Sequence, residues 1–379
     1  MSIKNSHIYN HSSFIKNNNY RFNRDEILEV LPKVEIDNAY NIISKWDNYK
    51  PTPLLNLNKL SKDLNLKNVF YKDESKRFGL KSFKALGGAY AVQEISKNKK
   101  NVVVSTATAG NHGKSVAWGA KRLGIKCKIF ISEFVSNNRA DEMSKLGADV
   151  TRVQGNYEKS LIECIKQSKE HNWEIIQDVA WENYERVPKL TMSGYSIMIE
   201  EISNQTNEYI THVFLQAGVG DMASGVIAGI ARYFKKIPKI IIVEPKNADC
   251  VLKSIESGKS EKIEIKEESI MGGMSCGEVS MVPWQILKNS VNNCLSIPDD
   301  DVAITVAMLS KGYFGKDFII GGECSAPGII SLNASCKNKK IKEELELNIN
   351  SNVLLIGCEG DADKDLYKKL LDQGNKKLI

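Results

Sequence analysis

Lys84 stands at an unusual place for a lysine. It follows Gly79-Leu80-Lys81-Ser82-Phe83 and opens the apolar, small-residue run Ala85-Leu86-Gly87-Gly88-Ala89-Tyr90. A cation at a helix start opposes the positive end of the helix dipole. Held there in low dielectric, its amine is expected to lose proton affinity and become a nucleophile towards a carbonyl. A solvated surface lysine is the ordinary alternative. Three glycine-bearing turns stand where a strand gives way to a helix: Ser105 to Gly113, Gln216 to Gly225 and Gly357 to Asp361. Such turns present unpaired backbone N–H groups at the positive helix end, and glycine lets an anion come close. In open α/β sheets that is where ligands bind.

The second turn also admits a ligand of another class. Gly218-x-Gly220-x-x-Ala223 fits the dinucleotide fingerprint, and Glu244 ends the next predicted strand about 20 residues later. On that reading the protein is an oxidoreductase and Lys84 is dispensable. The fingerprint usually marks the first βα unit of its domain, whereas five predicted strands precede this one.

The elements that must position these groups alternate. Strands are predicted at 69–72, 102–105, 127–132, 149–153, 174–177, 212–216, 240–244, 293–297 and 353–357, with helical periods at 84–96, 113–123, 137–146, 156–171 and 222–234. Strands separated by helices and apolar along most of their length indicate parallel sheets covered on both faces. The fold class is therefore α/β. Residues 25–46 carry helical spacing interrupted at Pro32, and 336–351 reads as an exposed helix and loop.

Composition narrows the partners. The 379 residues exceed what one core usually serves, so two domains are expected. The 52 Lys+Arg against 46 Asp+Glu give +6, too dilute to argue for a nucleic-acid or membrane partner. No stretch approaches the ~20 apolar residues of a membrane span, and the first two dozen residues lack a secretory apolar region. Eight cysteines without a C-x-x-C pair, and five scattered histidines, suggest neither a disulfide scaffold nor a metal. A cytoplasmic location is expected.

Ser82-Phe83-Lys84, followed by Gly110-Asn111-His112-Gly113 and then Gly218-Val219-Gly220, resembles the pyridoxal-phosphate enzymes of the tryptophan-synthase β type (fold type II). Within that group Arg77-Phe78-Gly79-Leu80 and Asp178-Val179-Ala180-Trp181-Glu182 bring the match closer to 2,3-diaminopropionate ammonia-lyase. Further pieces are Val243-Glu244-Pro245, Cys276-Gly277-Glu278 and Glu359-Gly360-Asp361, so the resemblance spans most of the chain.

The resemblance implies the cofactor, pyridoxal 5'-phosphate, in a cleft between two domains: residues 1–88 with 198–379, and residues 89–197. Lys84, beside Phe83, would bond the cofactor and then take the substrate's Cα proton. Asn111 would hydrogen-bond the cofactor's 3-oxygen. Gly218, Val219 and Gly220 would hold its phosphate, with Met222 opening the helix behind. Cys358 stands where relatives carry Ser or Thr near the pyridine nitrogen. The segment Thr108, Ala109, Gly110, Asn111 and His112 would hold the substrate carboxylate. Asp178 is the candidate partner of the substrate's β-amino group, since a carboxylate suits an ammonium; the plainer alternative is a helix or turn cap. His112, the phosphate or Lys84 could each supply the proton that departing ammonia needs.

The implied reaction is α,β-elimination of 2,3-diaminopropionate to pyruvate and ammonia by a homodimer whose partner is a small amino-acid substrate. Ala109 departs from the family, which usually has an aspartate there, taken as the base for the D-substrate. A methyl group moves no proton, so the L-isomer is the expected substrate. Asn183 and Cys324-Ser325 are lesser departures. Relatives can bridge the cysteines matching Cys250 and Cys276; in a reducing cytoplasm two free thiols are expected here. A serine or threonine dehydratase, a β-replacement enzyme of the same fold and a non-catalytic binding relative stay open as alternatives.

Overall fold

The computed structural model describes residues 9–108 and 110–378. Among them the strands are β1 (Ser13–Lys16), β2 (Leu54–Asn56), β3 (Asn68–Asp73), β4 (Val103–Ala107), β5 (Lys126–Ser132), β6 (Asp149–Val153), β7 (Glu174–Ile175), β8 (His212–Gln216), β9 (Lys239–Pro245), β10 (Asn293–Ile297) and β11 (Asn352–Gly357). They form a seven-stranded sheet in the order β1-β10-β9-β8-β11-β3-β2 and a four-stranded sheet in the order β6-β5-β4-β7. Every pair in the smaller sheet is parallel. The larger sheet is parallel from β10 to β3, with antiparallel β1 and β2 at its edges.

Strands β8, β10 and β11 are buried along their whole length, which is why they read as continuous apolar runs. All nine strands expected from sequence form, with ends displaced by at most two residues. The additions are β1 and β2, short edge strands. Residues 25–46 resolve into helices Arg24–Val30 and Lys33–Ile43, split at Pro32, and Asn23 caps the first by accepting from Asp25 and Glu26 N–H.

Four helices matter for the site: Lys84–Ser96, Asn111–Leu123, Arg186–Tyr195 and Asp221–Tyr233. The Asp221 helix leaves β8, whose neighbours β9 and β11 lie on opposite sides, so the strand order reverses there. That reversal opens a crevice at the carboxyl ends of the strands.

Lys84 is delivered to this crevice by a constrained turn. Between β3 and the Lys84 helix, Phe78 (φ 49°) and Lys81 (φ 63°) both take the left-handed conformation, which strains residues carrying a Cβ. A buried charge network fixes the turn. Arg77 donates from Nε to Glu74 Oε2 (2.8 Å) and from its two terminal nitrogens to Glu201 (2.7 and 2.8 Å). Lys72 Nζ lies 2.6 Å from the same Glu201, and Thr52 Oγ1 donates to Glu74 at 2.6 Å. Ser82 then bridges Glu359, and Phe83 N–H donates to Cys358 C=O at 3.1 Å. Lys84 is thereby registered against the end of β11.

No helix among the described residues is long and apolar enough to cross a membrane.

Candidate active site

A cavity of about 440 Å³ occupies the crevice, a size that suits a small ligand. All three glycine turns line it, together with Ser82, Phe83, Lys84 and Asp178. Every site residue read from the sequence lines this cavity except Ala109, which lies outside the described residues.

Lys84 Nζ donates to Asp178 Oδ2 at 2.7 Å, with the rings of Phe83 and Tyr195 at 5.6 and 5.7 Å. This corrects the expectation of weakened proton affinity. Burial does pull the amine down, but the Asp178 charge, with Tyr195 and Asp221 behind it, holds it well above its ordinary value. Burial likewise opposes ionisation of Asp178, and His112 and Lys84 outweigh it, keeping the carboxyl well below the usual range. Asp178 is therefore an anion that grips an ammonium.

His112 Nε2 lies 2.8 Å from Ile176 C=O, which can only accept, so Nε2 carries the proton. Its Nδ1, 3.5 Å from Asp178 Oδ2, is buried without a hydrogen-bond partner. Burial lowers the imidazole below its ordinary 6.5, so the ring is neutral at pH 7 and has no proton at Nδ1 to give. That counts against His112 as the general acid.

Asn111 Nδ2 donates to Glu359 Oε2 at 2.6 Å, and Cys324 N–H donates to Glu359 Oε1 at 3.1 Å. Glu323 completes this buried cluster, whose potential ligand atoms lie within 4.8 Å of one another; sequence spacing gave no sign of it. The Cys358 thiol sits 3.6 Å from Met222 Sδ, and burial pushes it well above its ordinary value, so it is neutral. Cys250 and Cys276 are free thiols.

The glycine turn after β8 needs both its glycines. Gly220 has φ +100°, and a Cβ at Gly218 would come within 2.9 Å of Cys276 Sγ. The first N–H groups of the Asp221 helix have no partner within the helix and are available to an anion. Glu244 disposes of the dinucleotide alternative. It is fully buried, pushed up to about 8 by burial, and its two oxygens accept from Val251 and Leu252 N–H at 2.8 Å each. It caps the helix Cys250–Ser257 and is closed to a ribose.

A model of the pyridoxal-phosphate dependent enzymes matches residues 45–358. The chain belongs to this family. Among its pyridoxal-phosphate dependent relatives, diaminopropionate ammonia-lyase of Escherichia coli K12 is 35% identical, over 93% of this chain and 95% of that protein. The diaminopropionate ammonia-lyase of Salmonella typhimurium LT2 is 33% identical over 87% and 90%. The crystal structure of the E. coli enzyme in complex with an aminoacrylate-PLP azomethine reaction intermediate superposes with a TM-score of 0.89 and 32% identity, covering 98% of this chain and 100% of that one. This chain is thus a fold-type II pyridoxal-phosphate enzyme.

The residues present fit that cofactor. A primary amine at the cavity wall, a glycine turn opening a helix, the Asn111 amide and a neutral thiol suit in turn its aldehyde, phosphate, phenolic oxygen and unprotonated ring nitrogen. Two groups near Lys84, the cavity residue Asp221 and the Tyr195 ring beside the lysine, were not assigned from sequence. Tyr195 comes from a distant helix and has no local signature. Asp221 directly follows the glycine turn, and its place there was the one available sign.

Proposed function

We propose that this protein catalyses α,β-elimination of 2,3-diaminopropionate, preferring the L-isomer, to give pyruvate and two molecules of ammonia with the uptake of one water. The observation that carries this reading is the Lys84–Asp178 pair: a buried carboxylate placed to hold an ammonium, here that of the lysine itself. The extent of similarity to diaminopropionate ammonia-lyases supports it.

Bound pyridoxal phosphate would withdraw electrons from Cα and make its proton acidic. Lys84, once freed of its own proton, is the group placed to take it. Asp178 accepts hydrogen bonds from the β-ammonium in place of the Lys84 ammonium it holds here, and keeps that nitrogen protonated, so the C–N bond breaks with neutral ammonia leaving. The start of the Asn111 helix orients the substrate carboxylate. Gly218, Val219, Gly220 and Met222 would hold the cofactor phosphate, Asn111 would hold its 3-oxygen, and Cys358 would serve its ring nitrogen. The neutral His112 ring lies against Asp178 without donating to it. The unsaturated amine left behind takes up water to yield pyruvate and the second ammonia. A serine or threonine dehydratase would set a neutral hydroxyl against Asp178 and leave that buried charge without a cation.

We further infer that residues 89–197 act as one domain against 1–88 and 198–379, in support of which every strand of the smaller sheet falls between Val103 and Ile175. We also infer a cytoplasmic homodimer; the resemblance to the family supports the dimer.

The test is pyruvate release from L- and D-2,3-diaminopropionate and L-serine, and 2-oxobutyrate release from L-threonine, by cofactor-loaded protein. L-diaminopropionate is expected to exceed L-serine by at least about tenfold in kcat/KM, with all turnover lost in Lys84→Ala. Inert diamines, or a Lys84→Ala variant of full activity, would overturn the proposal.

A further inference from the structure

Asp221 lines this cavity and has no part in the reaction described above. It is 2% exposed, and neither carboxylate oxygen has a hydrogen-bond partner. Its position on the helix shows which way it faces. Gly225, one turn further along, meets the Arg186 helix so closely that an added Cβ would lie 3.0 Å from Tyr195 Cβ. Asp221 shares that face, and the Tyr195 hydroxyl there is also buried without a partner. The ionisable groups in electrostatic reach are Lys84 on its helix, Asp178 on the segment after β7, Tyr195 on the Arg186 helix and Cys276 in the loop before residue 281.

The charges do not balance. One ammonium, Lys84, serves two carboxylates, and it is already paired with Asp178. Pyridoxal phosphate would use up that ammonium in bonding Lys84 and bring a phosphate dianion to the turn that Asp221 adjoins. A buried carboxylate beside a phosphate, with no cation, is a configuration that proteins avoid by keeping the acid protonated.

We propose that Asp221 makes capture of the phosphate-bearing cofactor depend on pH. Its neutral carboxyl donates a hydrogen bond to a phosphate oxygen held at the Gly218–Met222 turn, and its ionised form repels that phosphate. This rests on the placement of pyridoxal phosphate at Lys84 described above. Burial and the Asp178 charge, only partly offset by Lys84, raise the Asp221 acid well above its ordinary value, in keeping with a neutral group near pH 7.

The test is titration of cofactor-free protein with pyridoxal 5'-phosphate and, separately, with pyridoxal, reading the visible absorbance of bound cofactor, for wild type, Asp221→Asn and Asp221→Ala. From about pH 6 to about pH 9 the wild-type Kd for pyridoxal phosphate should rise about tenfold more than that of Asp221→Asn, the change expected from one pKa unit of interaction. Asp221→Ala should bind more weakly than Asp221→Asn and share its shallow profile, which keeps the test informative if one variant folds poorly. With pyridoxal, which also takes up the Lys84 amine but has no phosphate, the three pH profiles should differ much less. Identical profiles for wild type and both variants with pyridoxal phosphate would overturn the role of Asp221, as would an equal difference with pyridoxal. Failure of the wild type to bind pyridoxal phosphate at any pH would overturn the cofactor placement itself, and this proposal with it.

Discussion

Lys84 and Asp178 face each other across the cavity, Nζ to Oδ2 at 2.7 Å, with the lysine held as an ammonium and the aspartate as its counter-ion. A protonated amine is no nucleophile, so the pair must part before Lys84 can bond a cofactor. The separation leaves Asp178 a buried anion in want of a cation, and a substrate bearing a second ammonium supplies one. Cofactor attachment and substrate choice are linked through this one carboxylate.

The pair also stabilises the cofactor-free protein. The Asp178 carboxyl is lowered in the folded state, so its contribution is present above its unfolded value of about 3.8 and is lost as pH falls through the folded value. Lys84→Ala should cost about 1–3 kcal/mol at neutral pH, measured by urea unfolding of cofactor-free protein. The difference from wild type should shrink as both are acidified.

Asp221 carries the opposite sign. Its folded pKa is raised, so between about 3.8 and the folded value the native state binds the extra proton, and stability falls as pH rises. Cofactor-free Asp221→Asn should therefore melt above wild type at about pH 8, by a margin that narrows towards about pH 4. A margin independent of pH would mean that the native carboxyl does not titrate abnormally.

The turn that delivers Lys84 depends on Arg77, whose guanidinium is 1% exposed and joins Glu74 to Glu201. Arg77→Ala leaves two carboxylates buried with only Lys72 between them, and should cost about 3–5 kcal/mol by denaturant unfolding. Arg77→Lys should recover little of this, since a point charge cannot span both acids.

The sequence made the interior of the molecule legible and left its margins obscure. Strands such as β8 and β11 declare themselves because burial on both faces demands an unbroken apolar run. The edge strands β1 and β2 span four and three residues, pair antiparallel, and are not buried along their length, so no periodicity marks them. The three glycine turns were readable because backbone geometry dictates their residues. The charge state of Lys84 was not, because it is set by Asp178, which arrives from far along the chain. Tyr195 and Asp221 are likewise products of helix packing, permitted by Gly87 and Gly225, and no local pattern reports a contact between helices.

Ala109 bears on stereochemistry through its chemistry alone. A methyl side chain accepts no proton, so turnover of D-2,3-diaminopropionate should be at least about tenfold slower than that of the L-isomer. Ala109→Asp should raise the D-rate selectively. Comparable rates for both isomers in the wild type would show that another group serves the D-face.

The central claim is that Asp178 selects the β-ammonium, and the most direct measurement is the ratio of kcat/KM for L-2,3-diaminopropionate over L-serine, in wild type and in Asp178→Asn. An amide of the same shape cannot hold an ammonium with the strength of a carboxylate, so the ratio should fall about 100-fold or more, chiefly through loss on the diamine. An unchanged ratio, with both substrates slowed alike, would contradict the account and reduce Asp178 to a structural partner of Lys84.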